Sequence, residues 1–86
     1  MDKLKNSEGL TRKKYKESVY YGELKNRKKH GVGIMMYING KVYEGAWEND
    51  QKQGYGIEKL TNGAIYQGYF EKGKPHGRGS YLWPSG

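Results

Sequence analysis

The chain of 86 residues has no cysteine, only two prolines, one phenylalanine and three methionines. Without cysteine there is no disulfide framework, no thiolate metal site and no cysteine nucleophile. No apolar run approaches the length of a signal-peptide core or of a membrane-spanning helix. The expectation is a cytoplasmic protein. Carboxylates are also scarce: nine Asp and Glu stand against 16 Lys and Arg, a net charge of +7. A mean hydropathy of -1.11 is close to that of disordered chains. The aromatics argue otherwise, because nine Tyr and two Trp bring large buried areas per residue.

Glycine is abundant, and its placement is periodic. Tyr20, Tyr43 and Tyr66 are 23 residues apart. The same spacing relates Gly22, Gly45 and Gly68; Gly31, Gly54 and Gly77; Gly33, Gly56 and Gly79; and Gly40, Gly63 and Gly86. A fixed period of this size makes the fold an array of one small unit and turns the functional question from catalysis to recognition.

Within the middle unit, Tyr43, Gly45 and Trp47 alternate and share a strand face. Asn49-Asp50 is a two-residue turn, since both residues tolerate left-handed backbone, and Lys72-Gly73 takes its place in the third unit. Each unit is then a β-hairpin. A turn at Asn49-Asp50 pairs Gly45 with Gly54 and Tyr43 with Gly56, so that the Tyr43 ring covers a glycine. The odd period requires one parity correction per unit. A three-residue loop at Thr61-Asn62-Gly63 supplies it and pairs Gly56 with Gly68 and Gly54 with Phe70. The expected fold is all-β: a single-layer antiparallel meander of consecutive hairpins, about six strands over residues 19–86. One face carries Tyr20, Leu24, Tyr37, Tyr43, Trp47, Leu60, Tyr66, Phe70, Tyr81 and Trp83. The other carries Val32, Ile34, Met36, Ala46, Ile57 and Leu82 among Lys, Glu and Gln, so something else is expected to cover part of one face. Residues 1–18 are a basic arm or a degenerate repeat with Gly9 and Tyr15 as remnants.

The string Tyr43-Glu-Gly-Ala-Trp47, followed by Gly54-Tyr-Gly56 and Asn62-Gly63, resembles the MORN (membrane occupation and recognition nexus) repeat. Tyr66-Gln-Gly-Tyr-Phe70 to His76-Gly-Arg-Gly79 resembles it almost as closely. The first unit is looser, with Leu24 in the Trp slot and Arg27 in a turn position where the family often has Gly. The units are 20–42, 43–65 and 66–86. The resemblance implies an elongated twisted sheet of hairpins without catalysis of its own. It implies a scaffold in ciliary, flagellar or cytoskeletal structures, at membrane junctions, or beside lipid-kinase or methyltransferase domains. Phospholipid binding is also ascribed to the family.

Chemistry-bearing residues are sparse. His30 and His76 share one slot of the repeat and have no metal-ligand spacing. No carboxylate pair or triad is arranged for acid–base or nucleophilic work. Gly31-Val32-Gly33 lacks the Lys-Ser/Thr and the helix of a phosphate loop. No cofactor and no nucleic acid are expected. The aromatic stripe either packs on itself or also forms a partner-binding groove built from Tyr20, Tyr37, Tyr43, Trp47, Tyr66, Phe70, Tyr81 and Trp83. Lys25, Arg27, Lys28 and Lys29, with Arg12, Lys13 and Lys14, are the candidates for contact with an acidic lipid or an acidic partner. Both terminal strands are open edges that invite pairing with another chain. Three functions follow from these features: a non-enzymatic scaffold subunit, a peripheral module for acidic phospholipids, or the targeting part of a larger enzyme.

Overall fold

The computed structural model describes residues 10–84. They form one open sheet of seven antiparallel strands in chain order. The strands are β1 (Leu10–Lys14), β2 (Ser18–Lys25), β3 (Lys28–Tyr37), β4 (Val42–Glu48), β5 (Gln51–Lys59), β6 (Ile65–Glu71) and β7 (Lys74–Leu82). The six strands expected from the repeat are β2 to β7. The seventh falls in the stretch expected to be a basic arm or a degenerate repeat: residues 10–14 pair with β2, with Lys13 opposite Tyr20. Gly9 and the residues before it lie outside the described residues.

Two kinds of turn alternate. Between β2 and β3, β4 and β5, and β6 and β7 lie two-residue turns with both residues left-handed: Asn26-Arg27 (φ 53° and 66°), Asn49-Asp50 (49° and 69°) and Lys72-Gly73 (52° and 84°). Such turns match the twist of the flanking strands. The return connections are three-residue loops, Ile38-Asn39-Gly40 and Thr61-Asn62-Gly63. They are closed by Tyr37 N–H donating to the Lys41 carbonyl and Leu60 N–H to that of Ala64. Gly40 and Gly63 sit at φ 97° and 93°. The loop over 61–63 pairs Gly56 with Gly68 and Gly54 with Phe70, as its length predicts.

The register within each hairpin differs from the sequence expectation. Gly45 faces Gly56 and not Gly54, and Tyr43 faces Glu58 and not Gly56. The cause is a bulge on the second strand. Between the pairs Trp47–Lys52 and Gly45–Gly56, β5 has two more residues than β4, and Gly54 takes φ 104° inside it. The same shift recurs in β3 and β7, where Gly31 and Gly77 are left-handed. Bulges of this kind increase local twist.

The bulges align glycines across the sheet. Gly22, Gly33, Gly45, Gly56, Gly68 and Gly79 are successive partners in one row from β2 to β7. Tyr20, Tyr43 and Tyr66 lie over this row: a Cβ on Gly33, Gly56 or Gly79 would clash with the hydroxyl end of the tyrosine ring of the same unit. The expected cover of Gly56 by Tyr43 is thus present, reached diagonally across the ladder. The molecule measures 44 × 26 × 25 Å. A flat single layer with its side chains would be only about 10 Å thick, so the sheet is strongly coiled and encloses its aromatic face. That enclosure makes a core without a second layer: Tyr20, Met35, Tyr43, Trp47, Tyr66 and Phe70 are buried, with Tyr15, Leu24 and Tyr37 packed against them.

Candidate interaction surfaces

The rings of the concave face form a ladder. Trp47 stands edge-on between Tyr20 (centroids 5.4 Å) and Tyr43 (5.0 Å). Phe70 stands edge-on between Tyr43 (5.0 Å) and Tyr66 (5.2 Å). Tyr66 then meets Tyr81 at 4.9 Å, and Tyr81 stacks on Trp83 at 5.4 Å. Edge-to-face geometry at these separations adds about 0.5–1.5 kcal/mol per pair beyond area burial. The buried polar ends are satisfied: the Tyr43 hydroxyl donates to the Ala46 carbonyl (2.8 Å) and Trp47 Nε1 to the Gly33 carbonyl (3.1 Å). Burial pushes the Tyr20 phenol up to about 12, with the Glu23 carboxylate adding to the effect, and raises Tyr43 further.

This ladder corrects the expected partner groove. Tyr20, Tyr43, Trp47, Tyr66 and Phe70 are at most 4% exposed and belong to the core. Tyr37 is half-buried against it. Only Tyr81 and Trp83, at 47% and 53%, remain open to a partner. Coiling of the sheet is the reason, because it turns the stripe inward.

Two lysines complete the concave face, and sequence reasoning missed their role. Lys29 is buried, with Nζ over the rings of Tyr15 (4.7 Å), Trp47 (5.3 Å) and Tyr20 (5.8 Å). The ammonium donates to the Asp50 carboxylate (3.2 Å) and to the Tyr15 hydroxyl (3.1 Å). Asp50 also accepts from the Lys29 backbone N–H (2.8 Å), and that bond, with the ammonium, holds its carboxyl below the usual range. Lys29 therefore leaves the set of residues able to meet an acidic lipid. Lys52, 23 residues on, is buried over Tyr43 (5.1 Å), Tyr37 (5.5 Å) and Phe70 (6.0 Å) and is paired with Glu58 (2.5 Å). The period pointed to this slot, but its third occupant is Pro75, which hides the pattern.

The profile of the MORN repeat matches residues 20–42, 43–65 and 66–86. The chain belongs to the MORN repeat family. MORN repeats are non-catalytic and generally serve as interaction or membrane-binding modules. Comparison of the chain with curated proteins finds no match.

Outside its core, the MORN array offers three surfaces. The first is the tip of the β2–β3 hairpin, where Lys25, Arg27 and Lys28 are exposed. Lys13 joins them from β1, donating from Nζ to the Arg27 carbonyl (3.2 Å). Arg12 lies instead on the convex face, over Tyr21 (5.9 Å), with Lys14 also exposed, so the seven basic residues do not form one patch. The second surface is the convex face itself, where Tyr21, Val32, Ile57, Tyr55 and Tyr69 are each 39–60% exposed. A shallow groove of about 580 Å³ runs there between Arg12, Tyr21, Glu23, Val32, Ile34 and Glu44. The third is the C-terminal edge: every residue of β7 is exposed. His30 and His76 are far apart in the array, and His76 lies 3.2 Å from Glu71 on the surface. Among the described residues no three His, Asp or Glu side chains converge on a metal-sized site.

Proposed function

We propose that this MORN array is a non-enzymatic interaction module, a subunit of a larger protein assembly. The observation that carries the reading is the contrast between the two ends of the ring ladder. Its first rings are sealed by Tyr15 and Lys29, while its last, Tyr81 and Trp83, lie half-open beside a wholly exposed edge strand. Half-exposed Tyr and Trp next to unpaired backbone are the chemistry of a protein contact. A cytoplasmic setting at a cytoskeletal or ciliary structure is proposed by analogy with the family alone.

A photo-reactive residue placed at Trp83, in cells that express the protein, should give a discrete protein adduct. The same probe at Tyr55 on the convex face should not. No adduct at Trp83, or identical adducts at both sites, would overturn the reading.

The exposed Lys25, Arg27 and Lys28, with the half-buried Lys13 beside them, favour a second reading, a peripheral module for acidic phospholipids. Basic groups near an anionic surface contribute about 1 kcal/mol each. Flotation should compare phosphoinositide vesicles with phosphatidylserine vesicles of equal charge at low and physiological salt. Binding that survives physiological salt and prefers phosphoinositide supports the lipid reading. Binding lost with salt and blind to headgroup removes it.

A further inference from the structure

The two return loops that join one unit to the next carry a covalent reactivity as well as a turn. Each ends in Asn-Gly: Asn39-Gly40 after Ile38, and Asn62-Gly63 after Thr61. Both residues are there for the turn. The glycines hold positive φ. The asparagines accept at Oδ1 from the N–H two residues on, that of Lys41 (3.0 Å) and that of Ala64 (2.9 Å). The same choice sets a carboxamide carbon beside a backbone nitrogen that no side chain shields. In the tight turns, by contrast, Asn26 and Asn49 are followed by Arg27 and Asp50, whose side chains crowd that nitrogen.

The reaction open to such a pair needs only water. The glycine nitrogen attacks Cγ of the preceding asparagine. A C–N bond forms and closes a succinimide ring, the carboxamide C–N bond breaks, and ammonia leaves with the proton of the glycine nitrogen. Water then opens the ring at one of its two carbonyls. Opening at one gives aspartate. Opening at the other gives isoaspartate, in which the main chain runs through the former side chain and gains a methylene.

The folded loops hold this reaction off by two bonds each. Gly40 N–H donates to the Tyr37 carbonyl and Gly63 N–H to that of Leu60 (3.0 Å each), so each attacking nitrogen is engaged. The Oδ1 contacts anchor each carboxamide toward the residue beyond the glycine. All four residues, Asn39, Gly40, Asn62 and Gly63, are exposed. Exposed backbone bonds of this kind open by local fluctuation, without unfolding of the whole domain.

The two products differ in consequence. An aspartate carboxylate accepts the same N–H as the amide oxygen it replaces and keeps the loop. Isoaspartate does not. The bonds that close the loops, Tyr37 N–H to the Lys41 carbonyl and Leu60 N–H to that of Ala64, span the position of the added methylene. Loop length fixes the register of β3 on β4 and of β5 on β6. Lengthening the main chain inside the loop displaces one of its ends, and Ala64, at one such end, is fully buried.

We propose that Asn39 and Asn62 are sites of succinimide-mediated modification, gated by opening of the return loops, and that isoaspartate at either site loosens one unit from the next.

The test incubates the full chain at neutral pH, folded and in urea, and maps the products by mass spectrometry. An isoaspartyl carboxyl methyltransferase serves as the reagent that counts isoaspartate. In urea Asn39 and Asn62 should convert faster than Asn26 and Asn49. In the folded chain both should convert more than about tenfold more slowly than in urea. Conversion in urea no faster than at Asn26 and Asn49, or equal rates at Asn39 and Asn62 in the folded and unfolded chain, would overturn the proposal. A chemically synthesised chain with isoaspartate in place of Asn39 then tests the consequence. Its urea midpoint should fall, and hydrogen exchange at Tyr37 should quicken, whereas Asn39→Asp should match the unaltered chain in both. Equal midpoints for the isoaspartate chain and Asn39→Asp would overturn the claim that the modification loosens the array.

Discussion

Arg27 is the residue least suited to its backbone. It holds φ 66° in the β2–β3 turn, where the equivalent residue of the third unit is Gly73. An L-residue with a Cβ loses about 1–2 kcal/mol in this conformation relative to glycine. Its side chain is exposed, and the Lys13 contact is to its carbonyl. Arg27→Gly should therefore stabilise the protein by about 1 kcal/mol, which for a domain of this size raises Tm by about 4–8 °C. Gly56 shows the opposite dependence, because a Cβ there would clash with the phenol end of Tyr43. Gly56→Ala should cost about 3 kcal/mol as overpacking, read from the urea midpoint. An unshifted midpoint would mean that the ring moves aside freely. Titration follows from the phenols. Tyr20 is held protonated up to about 12, against an ordinary value of 10.0. The folded state then binds a proton that the unfolded chain has lost, so stability is fully present below pH 10 and falls as pH rises toward 12. Circular dichroism should be lost in that window, and Tyr20→Phe should reduce the loss.

Each hairpin is held to the next by its lysine slot. The Asp50 N–H donates to the Lys29 carbonyl and the Gly73 N–H to that of Lys52 (3.0 Å each). The ammonium of the slot then lies on the rings of both units. Lys52 and Glu58 lie on the same strand and are both buried, with Lys41 3.8 Å from the same carboxylate. Removing one partner of such a pair leaves a buried charge and costs about 3–5 kcal/mol, whereas replacing both with apolar side chains of similar volume is often neutral. Lys52→Met should accordingly destabilise strongly, and Lys52→Met with Glu58→Leu should recover most of the loss in the same urea titration. A double variant no better than the single would show that the ammonium–ring contacts, and not the ion pair, hold the two units together. At this scale the sequence was only partly legible. Strands β2 to β7, the loop at 61–63 and the cover of Gly56 by Tyr43 follow from the period, because parity and turn chemistry are local. The bulge does not follow, since a glycine such as Gly54 gives no sign within a strand of whether it continues the ladder or turns left-handed. β1 escaped for a related reason: its connection to β2 is a two-residue turn closed by Tyr15 N–H to the Ser18 carbonyl, which breaks the three-residue loop of the period.

Across the whole molecule each strand packs on its neighbours in sequence, so the array is close to one-dimensional. Its stability is then a chain of unit-to-unit contacts, and the rings that bridge units carry most of it. That also explains why the aromatic stripe looked like a groove in sequence: alternation assigns residues to a face, but only the coil of the sheet decides whether the face is closed. Trp47 is the test of this view. It touches Tyr20 of the first unit and Tyr43 of the second, its Nε1 donates to Gly33 in the first, and Lys29 lies over it. Trp47→Ala should remove about 3–5 kcal/mol, a large part of the stability of so small a domain. Tyr81→Ala, at the open end of the ladder, should remove less than about 1 kcal/mol while weakening any contact made by that end. Urea unfolding followed by circular dichroism separates the two. If Trp47→Ala unfolds no more readily than Tyr81→Ala, the ladder is not the core, and the concave face is once again a candidate for partner binding.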